Sequence, residues 1–249
     1  MKFIETPHIY QNEHNHNYLS VTTLIKNYTI KEDWIEIAKK KALKENRNYE
    51  ELLAEWEEKR NKSAEKGTRY HKLQEELLIN KKHIDYEGCK IYVKHVPTID
   101  GIKEDSNVLL NNNEIYPEKL IWSDLYKICG TADLVKVYNN IIYIDDYKTN
   151  EKLDFESFKH PNPRIGKKKM LFPLSHLDDC NFNHYQLQLN IYMYLLLQTN
   201  RHLKMGHMTI LHIKFNENDE PLEPIKYKVK NMQKEVATLL KHYKSTVHD

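Results

Sequence analysis

The sequence predicts an α/β (α+β) fold in which a mixed central β-sheet is flanked by helices. Two patterns support this prediction. Apolar residues recur at helical spacing through much of the first third of the chain, whereas residues 114–148 are rich in Ile, Val, Tyr and Leu, with turn residues between the apolar runs. The composition, with 40% hydrophobic and 30% charged residues over 249 positions, is that of a globular protein long enough to bury a substantial core.

The first part of the chain is expected to be mainly helical. Residues 8–19 predict a short extended segment with a polar turn, after which Ser20 is placed to cap a helix that begins near Val21. Apolar spacing is helical from residue 30 to residue 80, and Asn48 followed by Glu51 resembles a capping box.

The remainder of the chain alternates strands and helices. Residues 114–148 predict a strand meander, which a loop rich in Pro and Gly follows. We then expect a helix at 183–199, strands at 208–215 and 225–229, and a helix at 231–243. The predicted organisation is one domain over residues 1–249, with a mainly helical part at 1–80, a sheet core at 107–229 and a C-terminal helix within 230–249.

Several classes of protein are disfavoured. The longest apolar run, Ile191 to Leu197, is too short to span a bilayer, and the N-terminus lacks the apolar stretch of a signal peptide, so we expect a cytoplasmic protein without a membrane partner. The three cysteines, Cys89, Cys129 and Cys180, are widely separated and are expected to be reduced. A net charge of +2 gives no overall field that would indicate nucleic acid.

A hairpin around Asn139-Asn140 carries the strongest functional signal. Asn tolerates the positive φ of a two-residue turn, so Tyr138 should pair with Ile141. Counting outward along both strands then sets Asp133 directly opposite Asp146.

Alternation of side chains along the strands places Asp133, Asp146 and Lys148 on one face and Asp145 on the other. Directly opposed carboxylates are destabilising unless something neutralises them, and a hard cation such as Mg²⁺ or Mn²⁺ would do so. Lys148 could hold or activate an attacking water. The alternative is an ordinary exposed hairpin whose end carries a surface ion pair.

The hairpin contains two segments, Gly130-Thr-Ala-Asp133-Leu-Val and Ile144-Asp-Asp-Tyr-Lys-Thr149, that resemble the core of the PD-(D/E)xK nucleases. The resemblance is to the RecB-like branch, which includes phage and mitochondrial exonucleases. Further elements of that branch occur in the expected order between about residues 18 and 200. These are Ser20-Val-Thr-Thr23, Gly67-Thr-Arg-Tyr-His71-Lys-Leu-Gln-Glu75, Glu118 and Gln188-Leu-Asn-Ile-Tyr192. The proline of the family name is replaced here, because Gly130-Thr-Ala precedes Asp133.

The resemblance implies a restriction-endonuclease-like core with a Mg²⁺ or Mn²⁺ centre. It implies that the metal ligands are His71, Asp133, Asp146 and the backbone carbonyl of Tyr147. It further implies that Lys148 is the catalytic lysine, that Gln188 and Tyr192 lie near the substrate strand, and that Glu75 and Glu118 support the site. His71 and Glu75 are four positions apart and so share a helix face. Some members of the branch hold an iron–sulfur cluster with four cysteines; three scattered cysteines cannot, so no cluster is expected.

Two charged segments have alternative interpretations. The basic residues Arg164, Lys167, Lys168 and Lys169 predict either phosphate contacts or a solvated basic loop, with neither favoured. The densely charged segment from Glu50 to Lys62 favours a solvated helix face over an arm that contacts DNA.

The function expected is that of a metal-dependent DNA nuclease, an exonuclease acting in recombination, repair or phage genome processing. A structure-specific or restriction-type endonuclease is the alternative enzyme, and an inactive nucleic-acid-binding protein of the same fold is the alternative from another class. DNA is the expected partner, with a single-strand-annealing or other recombination protein as a further candidate. A phage-encoded protein would act in the host cytoplasm. Oligomeric state is left open.

Overall fold

The computed structural model describes residues 1–6, 8–86, 88–159 and 166–247. Within these residues the chain forms twelve strands and five helices. The strands are β1 (Lys2–Ile4), β2 (Ile9–Gln11), β3 (Asn17–Ser20), β4 (His83–Tyr86), β5 (Cys89–Val93), β6 (Thr98–Ile99), β7 (Ile102–Glu104), β8 (Glu114–Ser123), β9 (Ile128–Tyr138), β10 (Ile141–Lys148), β11 (Lys204–His212) and β12 (Ile225–Lys228). The helices are α1 (Val21–Lys26), α2 (Trp34–Glu45), α3 (Tyr49–Lys81), α4 (Asn181–Thr199) and α5 (Gln233–Val247).

The described strands form one curled mixed sheet. Its order is β12-β11-β10-β9-β3-β2-β1-β7-β6, and β8 pairs with β9 on the other edge of that strand, extending to β5 and β4. The centre is an antiparallel meander of β8, β9 and β10. From β10 the chain crosses through α4 to β11, which pairs parallel to β10. A parallel neighbour requires such a crossover, because a tight turn can join only antiparallel strands.

The main core lies between this sheet and α4. Alternate residues of β9 and β10, including Val135, Val137, Ile142 and Ile144, are fully buried on one face. Helix α4 covers them and is itself packed by α1 and α5, which explains why it is apolar on nearly every side. The other face, with Leu134 and Tyr138, packs against β5 and against Leu78 of α3. Both faces of the meander are therefore buried, which fixes its register.

Several predictions of local structure are confirmed. Ser20 caps α1 by accepting a hydrogen bond from the Thr23 amide at 3.1 Å, and Asn48 caps α3 by accepting one from the Glu50 amide at 2.7 Å. The meander, helix α4, strand β12 and helix α5 lie where the patterns placed them, within a few residues. The mixed α/β class is also confirmed.

Two expectations need correction. The sheet extends beyond residues 107–229, because β1 to β3 and β4 to β7 also belong to it. These strands are two to five residues long, which is too short to show a clear period of two. Strand β11 starts and ends a few residues earlier than residues 208–215, since it is aligned by β10 rather than by its own apolar run.

None of the helices in the described ranges is long and apolar enough to cross a membrane.

Candidate metal centre

The predicted hairpin register is confirmed. Asn139 and Asn140 have φ of 52° and 58°, the two positive values that a type I′ turn requires. The pairs run from Tyr138 with Ile141 to Leu134 with Asp145. Asp145 points away from the candidate site and pairs with Lys136, Nζ to Oδ2, at 2.6 Å. The register therefore directs Asp146 rather than Asp145 toward Asp133.

The strands separate one step before the predicted opposition of Asp133 and Asp146. The ladder ends at Asp145, and the Asp133 Oδ2 instead accepts a hydrogen bond from the Tyr147 amide at 2.6 Å. On one edge of β9, β3 pairs with residues 128–129 and β10 pairs with residues 134–138. Residues 130–133 have no partner strand on that edge among the described residues. The gap lets side chains from other elements approach Asp133.

His71 reaches this gap from α3. Its Nδ1 lies 3.4 Å from an Asp133 oxygen and 3.6 Å from a Glu118 oxygen. One potential ligand atom from each of the three residues lies within 4.8 Å of the others. A nitrogen and two carboxylate oxygens are a donor set that suits Mn²⁺. The two carboxylate oxygens also suit Mg²⁺, which prefers oxygen ligands. The structure thus brings the supporting residue Glu118 into direct contact with a predicted ligand.

Glu118 adopts a strained backbone conformation. It has φ of 48°, and the pairing of β8 with β9 skips it, passing from Pro117 with Leu134 to Lys119 with Ala132. A non-glycine residue in this region costs about 1–3 kcal/mol and persists only when its surroundings impose it. The irregularity turns the Glu118 carboxylate toward His71 instead of along the sheet ladder.

Asp146 is a buried carboxylate that lacks adequate compensation. It is 1% exposed, and its Oδ2 lies 2.5 Å from the Lys148 Nζ. Even so, neither oxygen makes a hydrogen bond of good geometry within the described part of the chain. Burial of an ionised group without full compensation is expensive. Asp146 is not one of the three described residues whose ligand atoms lie within 4.8 Å of one another, but its incompletely compensated charge would favour a cation in this cluster, so the residues fit a metal.

The pKa values show how the charges compensate without metal. Burial alone would lower the pKa of His71, but Asp133 and Glu118 raise it to about 10. Burial raises the pKa of Asp146 to about 6, against the influence of Lys148. The pKa of Asp133 is lowered despite burial, because His71 and Lys148 stabilise its charged form. Metal binding would therefore require proton loss from His71.

Lys148 is enclosed on the α4 side. Burial would lower its pKa, but Asp146 and Asp133 raise it above the ordinary value, so it is a cation. Its Nζ lies 4.8 Å from the centroid of the Tyr185 ring. The sequence interpretation missed Tyr185, although its position three residues before Gln188 on one helix face could have indicated it.

Tyr147 contributes through its ring as well as its amide. The ring makes edge contacts with Tyr70 and His71, with centroids 5.5 and 5.7 Å apart. This packing restricts the orientation of the His71 imidazole. The ligand role of the Tyr147 carbonyl stays a prediction.

Gln188 and Tyr192 lie in the contact between α4 and the sheet. The Gln188 amide donates to the Tyr192 hydroxyl at 3.1 Å, and both side chains are buried. The tyrosine packs against Gly130, where a Cβ would lie only 2.5 Å from the hydroxyl. They line the gap at residues 130–133 on the side of α4. Their position near the substrate strand stays a prediction.

Glu75 is directed away from the cluster. Its carboxylate lies 3.0 Å from the His95 Nε2 and 3.6 Å from the Nζ of Lys103, which is 4% exposed. Burial lowers the pKa of Lys103. His95 and Lys103 carry no recognisable motif, so only the packing of β5 and β7 near α3 could reveal them.

The predicted basic segment is largely neutralised by acidic residues. Lys167 lies 2.8 Å from Glu156, and Lys169 lies 2.5 Å from Asp178. Lys168 has partners on two elements, Glu32 at 2.8 Å and Asp179 at 3.2 Å. The Asp178 and Asp179 side chains are only 14% and 4% exposed, so these contacts favour a structural role over phosphate binding. Arg164 lies outside the described residues.

No protein-family model matches this chain, and no curated protein shows significant sequence similarity to it.

Proposed function

We propose that this protein is a metal-dependent nuclease that hydrolyses phosphodiester bonds in DNA. The observation that carries the proposal is the convergence of His71, Glu118 and Asp133 at a break in the sheet, beside a poorly compensated Asp146 and a cationic Lys148. We further propose that β8 to β11 and α4 are a restriction-endonuclease-like core, because this three-stranded meander is followed by a helix and a parallel strand.

His71, Glu118 and Asp133, together with the neighbouring Asp146, would hold Mg²⁺ or Mn²⁺, which would polarise the phosphoryl oxygen and stabilise the charge that develops on it. Water attacks the phosphorus and the bond to the leaving strand breaks. Lys148 orients the water and holds negative charge near the reacting atoms. The Tyr147 amide fixes Asp133, and Tyr185 keeps the Lys148 ammonium group over its ring.

Substitution within the centre tests this proposal. We expect Asp146→Asn, Asp133→Asn and Lys148→Ala each to reduce cleavage at least ~100-fold, since removal of electrostatic stabilisation at a reacting centre has effects of this size. Cleavage is measured with purified protein on end-labelled DNA in Mg²⁺ or Mn²⁺, and circular dichroism verifies folding. Asp145→Asn is the matched control, because it alters the same residue type on the opposite face of the same strand.

Full activity in Asp146→Asn and Lys148→Ala would refute the mechanism. DNA binding by wild-type protein without metal-dependent cleavage would instead establish an inactive binding protein. We propose an exonuclease, and linear and closed circular substrates, single- and double-stranded, test this part separately. Cutting of closed circles would show an endonuclease.

A further inference from the structure

A groove of about 630 Å³ lies beside the proposed metal centre. One wall is α3, the opposite wall is residues 213–215 after β11, and the floor is residues 149–151 after β10. A volume of this size falls within the ~300–1,000 Å³ range of sites that bind small molecules. That volume is enough for nucleotides of an unpaired strand.

Residues that line the groove adjoin the proposed catalytic residues in the chain. Thr149 on its floor follows Lys148 in the chain. Lys66 on its wall precedes His71 by five positions, which is about 7.5 Å along a helix axis. At Gly67 a Cβ would lie 2.9 Å from the Thr149 Oγ1, so α3 lies closely against the end of β10. One end of the groove therefore lies beside Lys148.

Lysines from both walls face the groove. They are Lys59, Lys62, Lys66 and Lys214, and the groove is also lined by Glu55, Glu58 and Glu151. Lys59 pairs with Glu151 across the groove at 2.7 Å, with both side chains more than 70% exposed, and Lys62 pairs with Glu58 at 2.6 Å. Exposed pairs of this kind stabilise a protein very little, because water screens both charges. A phosphate can therefore replace either carboxylate at little cost.

Phe215 provides an aromatic surface on the wall opposite α3. Its ring is half-buried and supported by an edge contact with Tyr70, with centroids 6.2 Å apart. The Lys66 Nζ, which also pairs with Asp219, lies 4.8 Å from the ring centroid, and a base that stacks on this ring would replace that ammonium group. Lysines that track a backbone, together with an aromatic ring on which a base can stack, are the combination that binds single strands without sequence preference.

We propose that this groove binds one unpaired DNA strand and directs it to the metal centre. Its phosphates contact Lys59, Lys62 and Lys214, and a base stacks on Phe215. Glu151 is paired with Lys59 in the free protein, and a phosphate of the strand displaces it. The choice of DNA as the substrate class rests on the proposed nuclease function.

Binding of a fluorescent single-stranded oligothymidylate, measured by anisotropy in EDTA at several salt concentrations, tests the groove without cleavage. Lys59→Gln with Lys62→Gln should weaken binding about tenfold and reduce the salt slope by ~1.4, since each lost phosphate contact removes ~0.7 from the slope for a single strand. Glu151→Gln should strengthen binding several-fold, because it frees Lys59. Phe215→Leu should weaken binding with no change in salt slope.

Lys40→Gln with Lys44→Gln is the matched control, because it removes the same charge from an exposed part of α2 outside the groove. Equal loss of affinity in the control and groove variants, or unchanged affinity in the groove variants, would overturn the proposal. A parallel cleavage assay keeps the two proposals distinct. If the groove variants bind as well as the wild-type protein, and the wild-type protein cleaves DNA with metal, only the groove proposal is refuted. If the groove variants alone lose binding, but the wild-type protein does not cleave DNA, only the nuclease proposal is refuted.

Discussion

At the scale of single residues, the centre is organised around the charge of Asp133 and Asp146. Both carboxylates are buried, and the cations that face them come from different elements: His71 from α3 and Lys148 from β10. In the metal-free protein the imidazolium of His71 takes the position of a cation beside Asp133. The proton on His71 and a metal ion should therefore compete for the same carboxylate.

This competition predicts a pH-dependent stability in the absence of metal. The pKa of His71 is raised from 6.5 to about 10 in the folded protein, so its contribution to stability is complete below pH 6.5 and is lost as the pH rises to about 10. The free energy of unfolding should fall across this window by at most ~1.4 kcal/mol per pH unit from this one group. In His71→Gln this part of the decline should be absent. Urea unfolding in EDTA at several pH values measures it.

A comparison of the wild-type protein with His71→Gln checks that prediction. If wild-type protein and His71→Gln lose stability equally between pH 6.5 and 10, His71 is not the group responsible. Saturating Mn²⁺ should also flatten the wild-type profile, because a bound metal leaves His71 without its proton.

At the scale of elements, the hairpin turn positions the carboxylates. Asn139 and Asn140 both have positive φ, which β-branched residues adopt only with strain. Asn139→Val should destabilise the protein by about 1–2 kcal/mol, whereas Asn140→Gly should be neutral or stabilising. Urea unfolding of both variants measures this difference, and equal stability of the two would contradict the assigned turn.

The contact of α4 with β9 is a second determinant at this scale. A Cβ at Gly130 would lie 2.5 Å from the Tyr192 hydroxyl and 2.7 Å from its Cε1. Gly130→Ala should therefore destabilise the fold by about 1–3 kcal/mol, as overpacking does in a rigid core. The same change in a Tyr192→Ala background should cost much less. A double-mutant cycle by urea unfolding measures this coupling, and additive effects would show that the two residues do not meet.

At the scale of the whole molecule, the proposed centre joins α3, β8, β9 and β10. An ion bound by residues of four elements stabilises the folded chain but not the unfolded one. Mn²⁺ at 100 times its dissociation constant should thus raise the free energy of unfolding by ~2.7 kcal/mol. Thermal unfolding with and without Mn²⁺ should show this shift in wild-type protein and in Asp145→Asn, and lose it in Asp146→Asn. An equal shift in all three would place the metal elsewhere.

Features that depend on neighbouring residues could be read from the sequence. The Asn139-Asn140 turn and the alternation of side chains are local properties of two adjacent strands. They placed Asp146 and Asp145 on opposite faces, as the structure confirms. Helix caps at Ser20 and Asn48 were predictable for the same reason.

Features that depend on packing between distant segments could not be read from the sequence. The ladder ends before Asp133 meets Asp146, because β3 occupies the same edge of β9 further along and Tyr147 takes the carboxylate. Glu75, expected to approach the site beside His71, contacts His95 and Lys103 instead. His95 lies in the segment after β5 and Lys103 on the three-residue strand β7, and neither position shows a pattern that a sequence could reveal.

The sequence by itself determined the hairpin, its register and the face that carries Asp133, Asp146 and Lys148, since backbone period and turn chemistry act over a few residues. Only the tertiary structure decided that His71 and Glu118 meet Asp133, and that a groove leads from Lys148 along α3. Those arrangements follow from how a helix packs across a break in a sheet, which depends on the whole core rather than on any single segment.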